Sequence, residues 1–113
     1  MDDKSDCLRR EWIELAPRWI EEARSGGDLN RRALLDNYML AACGDVSGLR
    51  ILDCGCGEGR FSRMLLARGA QYVLGVDSCE LMVEAARELQ TGRDEYILAD
   101  AQDLSFLADD SFD

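Results

Sequence analysis

The stretch Leu49-Arg50-Ile51-Leu52-Asp53-Cys54-Gly55-Cys56-Gly57-Glu58-Gly59 runs from a short apolar segment straight into three glycines at alternate positions. Such a run, bounded by a turn signal, predicts a buried strand, and the glycines predict a tight turn that a ligand can approach closely. Working downstream, Phe61, Met64 and Leu65 repeat at helical spacing within residues 59–68, and Gly69 closes that helix. Tyr72-Val73-Leu74-Gly75-Val76-Asp77 is the second strand. Leu81, Ala85 and Leu89, with Met82 and Ala86 beside them, mark a further amphipathic helix ended by Thr91-Gly92, and a third strand follows near residues 95–99.

Upstream, Leu8, Trp12, Leu15, Trp19 and Ala23 draw one stripe along a helix that Pro17 is expected to bend. Ser25-Gly26-Gly27 stops it. Asp28 is the expected N-cap of a second helix carrying Leu29, Leu34, Leu35, Tyr38 and Met39, which Gly44 ends. The predicted order is therefore α-α-β-α-β-α-β. Strands alternating with helices of this length give a parallel sheet with right-handed crossovers, its strands covered on both faces. The fold class is α/β: a Rossmann-like parallel sheet with two N-terminal helices. Residues 1–48 are expected to form a helical cap, and residues 49–113 the first three strands of a doubly wound domain cut off before strand four. Ser111-Phe112-Asp113 reads as the lead into that fourth strand, whose place is the flank of strand one opposite strand two.

Composition narrows the function. The 113 residues hold 23 acidic against 13 basic groups, a net charge of −10, and residues 49–113 carry 13 acidic and 6 basic groups. A chain so acidic repels phosphate backbones, so nucleic acid is not an expected partner. Nothing in the sequence has the length of a membrane span or the order of a signal peptide, and the protein reads as cytoplasmic. The cysteines are five, an odd number, and fit reduced thiols. With no histidine and no second cysteine pair at zinc spacing, no metal site is expected, and no Cys-His pair exists.

Chemistry concentrates at the predicted strand ends. Asp77 lies 18 residues beyond Gly59, about where an acidic side chain accepts hydrogen bonds from ribose hydroxyls. The alternative is that Asp77 merely caps the following helix. Glycine turn and acid together point to an adenosine ligand. A dinucleotide turn reads GxGxxG and places pyrophosphate at the helix N-terminus. Here the pattern is GxGxG, Arg60 stands where the third glycine would fall, and Asp53 puts a carboxylate where a phosphate would be repelled. S-adenosylmethionine lacks phosphate and carries net positive charge, so the acidic turn favours it over NAD.

These residues resemble the first motif of class I S-adenosylmethionine-dependent methyltransferases. Gly75-Val76-Asp77 followed by Cys79 and Met82 resembles the second, with Cys79 where serine is usual. Asp100-Ala101-Gln102 resembles the third contact, and Leu104-Ser105-Phe106 through Ser111-Phe112-Asp113 the lead into strand four, with Ser105 in place of a frequent proline. The likeness covers about residues 49–113 and is nearest to small-molecule enzymes of the ubiquinone and menaquinone type. It implies that Asp53, Gly55, Cys56 and Gly57 line the methionine moiety, Asp77 the ribose and Met82 an adenine face. Asp100 and Ala101 would meet the adenine edge, with Ser78 and Gln102 as adjacent backbone contacts. The implied reaction is methyl transfer to a small-molecule acceptor, with no catalytic base singled out. Two rival readings are a nicotinamide-dependent oxidoreductase and a noncatalytic module that binds a protein partner. Cys54, Cys56 and Cys79 are expected at the same edge, as thiols whose oxidation interferes with binding. Trp12, Trp19, Arg18, Arg31 and Tyr38 are read as core packing and left out of the site.

Strand one, without a neighbour on its outer flank, is expected to pair with a second copy of the chain. Sedimentation velocity at high protein concentration should then show a dimer, and a monomeric profile counts against that pairing.

Overall fold

The structure, a computed structural model, describes residues 3–25 and 29–113. Its elements are α1 (Asp3–Ser25), α2 (Leu29–Cys43), β1 (Arg50–Cys54), α3 (Arg60–Ala67), β2 (Tyr72–Asp77), α4 (Glu80–Glu88) and β3 (Asp94–Leu98). The order is the one expected. Asp28 as an N-cap lies outside the described residues, as do Gly26 and Gly27. The strands form a parallel sheet in the order β1-β2-β3, with Ile51 beside Val73 and Gly75 beside Tyr96. The third strand starts one residue earlier than the expected 95–99.

Right-handed crossovers that step the same way across the sheet lay α3 and α4 on one face. Leu65 and Leu66 of α3 pack with Leu40, Val46, Ala70 and Val73, while Val83 and Ala86 of α4 pack with Cys56 and Tyr96. Side chains alternate along a strand, so Val73 and Gly75 share a face, and the two clusters sit side by side under neighbouring helices. Gly69, at φ +99°, turns the chain out of α3 through Gly69 N–H to Leu66 O and Ala70 N–H to Leu65 O.

The helical stripes differ from expectation in a consistent way. In α4 the buried side chains are Met82, Val83, Ala85 and Ala86, whereas Leu81 and Leu89 stay exposed. The helix is pressed by the sheet on one side and by α1 on another, so its buried arc is wider than a single stripe and is centred elsewhere. In α1 the buried residue is Ala16, packed with Cys79 and Met82, while Leu8, Trp12 and Leu15 are exposed. Pro17 leaves the helix unbroken: it lacks the N–H that would reach back one turn, yet the helix continues to Ser25. Among the described side chains of α2 only Leu40 reaches the core, and Leu34, Leu35, Tyr38 and Met39 are exposed, while the side chain of Leu29 lies outside the described ones.

At the outer flank of β1, Asp113 N–H donates to Arg50 O at 2.7 Å and Arg50 N–H donates to Asp113 Oδ2 at 2.8 Å. The residues expected to lead toward a fourth strand thus meet β1 on the side away from β2.

Gly75 is required by close approach. A Cβ there would lie 2.6 Å from Tyr96 Cδ1 and 2.9 Å from Cys56 Cβ and Sγ. Gly75→Ala should therefore destabilise the protein by about 1–3 kcal/mol through overpacking, read as a lowered urea midpoint.

Candidate functional site

The carboxyl end of a parallel strand is where the chain must turn into its crossover helix, and here two such turns face each other. In the first, Gly55, Gly57 and Gly59 all adopt positive φ, at +72°, +59° and +87°, a conformation that a side chain would strain. Gly55 N–H and Cys56 N–H both donate to Val76 O, at 2.8 and 3.0 Å, which ties the loop to β2. Gly59 is also the N-cap of α3 and makes no side-chain cap.

In the second turn, Asp77 accepts from Cys79 N–H at 2.9 Å through Oδ1 and from Gly57 N–H at 3.0 Å through Oδ2. One carboxylate thus pins both loops. The alternative role as a helix cap does not hold, because the N-cap of α4 is Cys79. A carboxylate offers about four lone-pair directions, and the two N–H groups take only two of them.

Between the loops and the helices opens a cleft of about 560 Å³, within the usual range for small-molecule sites. Gly55, Cys56, Gly57 and Asp77 line it, as do Ser78, Met82, Asp100 and Ala101. Two expected residues stand outside this lining. Asp53 turns toward α3, where Ser62 Oγ–H donates to its Oδ2 at 2.6 Å. Gln102 gives its N–H to Asp100 Oδ1 at 2.9 Å and so shapes the third turn from behind.

Burial raises the Asp53 carboxyl above its ordinary value; the Ser62 hydrogen bond opposes the shift and the Asp77 charge adds to it. Burial likewise pushes the Cys56 thiol up, reinforced by the carboxylates of Asp53 and Asp77. Cys56 and Cys79 are buried and Cys54 is exposed. The expected oxidation-prone cluster is therefore not what forms: burial and negative neighbours hold Cys56 as a thiol, and Cys79 is 1% exposed.

Sequence reasoning missed the other wall. Trp12, Trp19, Leu35 and Met39 line the cleft from α1 and α2, so the two tryptophans set aside as core also border the cleft, Trp19 while packing against Ala16, Cys79 and Met82. Arg60, the residue in place of a third glycine, forms a two-pronged ion pair with Asp36 of α2: its Nη1 reaches Oδ1 at 3.1 Å and its Nη2 meets Oδ2. Glu58, 2% exposed, is held by Arg63 at 2.7 and 2.9 Å. The departure at position 60 was visible in the sequence. Its partner and the helical wall were not, because spacing within a helix cannot say which remote element it will face.

Paired glycine and acidic turns at the carboxyl end of a parallel sheet define the Rossmann-like class to which S-adenosylmethionine-dependent methyltransferases belong. This chain belongs to the methyltransferase-domain family, whose model matches residues 51–113. It is 36% identical over 75 residues to a ubiquinone biosynthesis O-methyltransferase from Leptothrix cholodnii, covering 66% of this chain and 32% of that protein. It is 34% identical over 94 residues to ribosomal RNA small subunit methyltransferase A from Paracoccus denitrificans, covering 77% and 33%. The crystal structure of a magnesium protoporphyrin IX methyltransferase from Synechocystis with bound S-adenosylhomocysteine superposes with a TM-score of 0.67 at 26% identity, over 88% of this chain and 52% of that one. The chain thus spans about a third of the length of these curated relatives.

The raised Asp53 carboxyl has a consequence for stability. The folded protein holds that proton to higher pH than the unfolded chain does, so the contribution is full below the unfolded value and is lost as pH rises through the folded one. Asp53→Asn removes the titration while keeping an oxygen for Ser62. Urea unfolding at about pH 3 to 6 should show the variant gaining on the wild type as pH rises.

Proposed function

We propose that this chain is the cofactor-binding part of an S-adenosylmethionine-dependent methyltransferase acting on a small molecule. The observation that carries the reading is the Asp77 carboxylate, which lines the cleft and is fixed by the N–H groups of Gly57 and Cys79 with acceptor capacity to spare. Two hydroxyls on adjacent ribose carbons match that arrangement. Position 60 supports it too, since a dinucleotide would bring phosphate to the start of α3, where Asp36 already holds the one cationic side chain on the cleft wall among the described residues. That disfavours NAD.

Under this reading Gly55, Cys56 and Gly57 flank the methionine end, with Asp53 setting negative potential from beneath. Asp77 takes the ribose, Met82 packs on the adenine, and Asp100, Ala101 and Gln102 shape the turn at its edge, beside Ser78. When bound, S-adenosylmethionine supplies a methyl group on a sulfonium that is already an activated leaving group. The chain's own residues bind and orient, and positioning alone carries much of such a barrier. No side chain of the cleft is assigned as a base.

The acceptor class rests on charge and likeness. A net charge of −10 opposes an RNA backbone, and a relative is named for ubiquinone biosynthesis. Among the described residues no helix is long and apolar enough to cross a membrane.

Calorimetric titration with S-adenosylmethionine, S-adenosylhomocysteine and NAD tests the proposal. The first two should bind and NAD should not, and Asp77→Ala should weaken binding at least tenfold, as expected when hydrogen bonds to a charged group are lost. Equal binding of NAD, or an unaffected variant, overturns it.

A further inference from the structure

Both tryptophans of the chain lie on the wall of the cleft. They stand seven positions apart on α1, two turns, which puts them on one face of the helix. Their ring centroids are 5.6 Å apart and their planes meet at 89°, an edge-to-face pair in which each ring restrains the other. Trp19 packs against the cluster of Ala16, Cys79 and Met82. Cys79 and Met82 lie two and five residues after Asp77, so Trp19 is anchored at the end of the cleft marked by Asp77. Trp12 keeps 43% of its surface exposed. A rigid, half-covered indole pair beside a methionine is built to receive a flat, uncharged ring, and stacking on such a surface is tolerant of which base is offered.

Resting on the S-adenosylmethionine reading above, we infer that Trp12 and Trp19 form an aromatic wall of the adenine site, adjoining Met82. The helical segment then takes part in holding the cofactor, and does not serve only as a cover over the acceptor. The wall also accords with the burial pattern of α1: Ala16 is buried, Trp19 and Ile20 pack against its cluster, and both indoles border the cleft.

Because the chain has only these two tryptophans, its intrinsic fluorescence reports the wall directly. Titrations with S-adenosylhomocysteine, adenosine and methionine are read by emission, with calorimetry in parallel, on the full chain and on Trp12→Phe and Trp19→Phe, each of which leaves one emitter. Adenosine and S-adenosylhomocysteine should quench both single-tryptophan variants, and methionine should not. Trp19→Leu, shown folded by circular dichroism, should weaken both adenosine-containing ligands by a common factor of about ten, and Trp19→Phe should restore most of it. Calorimetric binding of S-adenosylhomocysteine with unchanged emission and an unaffected Trp19→Leu would overturn the wall and leave the cofactor site standing. Quenching by methionine alone would also overturn it. Absence of calorimetric binding by either adenosine-containing ligand overturns the cofactor reading along with it.

Discussion

Everything at the carboxyl end of the sheet depends on the carboxylate of Asp77. It accepts N–H groups from Gly57 and Cys79, so the turn after β1 and the turn after β2 are held at a fixed separation by one side chain. Backbone hydrogen bonds from Gly55 and Cys56 to Val76 O reinforce the same junction. A charged acceptor makes a stronger bond to N–H than a neutral one, and this one connects two loops that no strand pairing reaches. The constraint also explains the three positive-φ glycines: only a chain free of Cβ strain can fold back far enough to offer Gly57 N–H to a residue on the neighbouring strand.

Charge follows from the same arrangement. Asp53 and Asp77 sit near enough for one to raise the proton affinity of the other, and burial raises that of Asp53 further. Such a pocket penalises an incoming phosphate and favours a cation, so the selection between Rossmann-like ligands is electrostatic as well as steric. Arg60 does not cancel it. Its guanidinium is engaged by Asp36, which brings α2 to the start of α3 and leaves the site's acidic character intact.

Much of this was legible in the sequence, and the division has a physical basis. β1 and β2 were readable because each has a short apolar run that stops at a turn signal, Gly55 just after β1 and Asp77 at the end of β2, although β1 proves only half-buried. The glycine turn, Asp77 and Asp100 were readable because each is separated from the next by a single crossover of ordinary length. The faces of α1, α2 and α4 were not. Leu8, Leu15, Leu81 and Leu89 are apolar and periodic, yet exposed, because the arc a helix buries is set by the neighbours it meets. The same ambiguity concealed Trp12 and Trp19, since an aromatic stripe has one appearance in sequence whether it meets a core or a ligand. Asp53 shows a subtler limit: the side chain's turn toward Ser62, out of the cleft lining, is a rotamer choice that spacing does not encode.

The glycine loop is also supported from below, by a device far from it in sequence. Tyr96 on β3 lies beside Gly75, and its ring fills the space where a side chain on β2 would be. Its hydroxyl donates to the buried Asp94 at 2.6 Å, which fixes the ring, and lies about as close to the Cβ position of Gly59 as sterics allow. Cys56 rests against the same gap, while Arg63 reaches back from α3 to the carbonyl and carboxylate of Glu58. Gly75 is therefore as much a part of the site as Gly55 or Gly57, although it never lines the cleft. Its missing side chain lets an aromatic ring on the third strand set the height of a loop that follows the first.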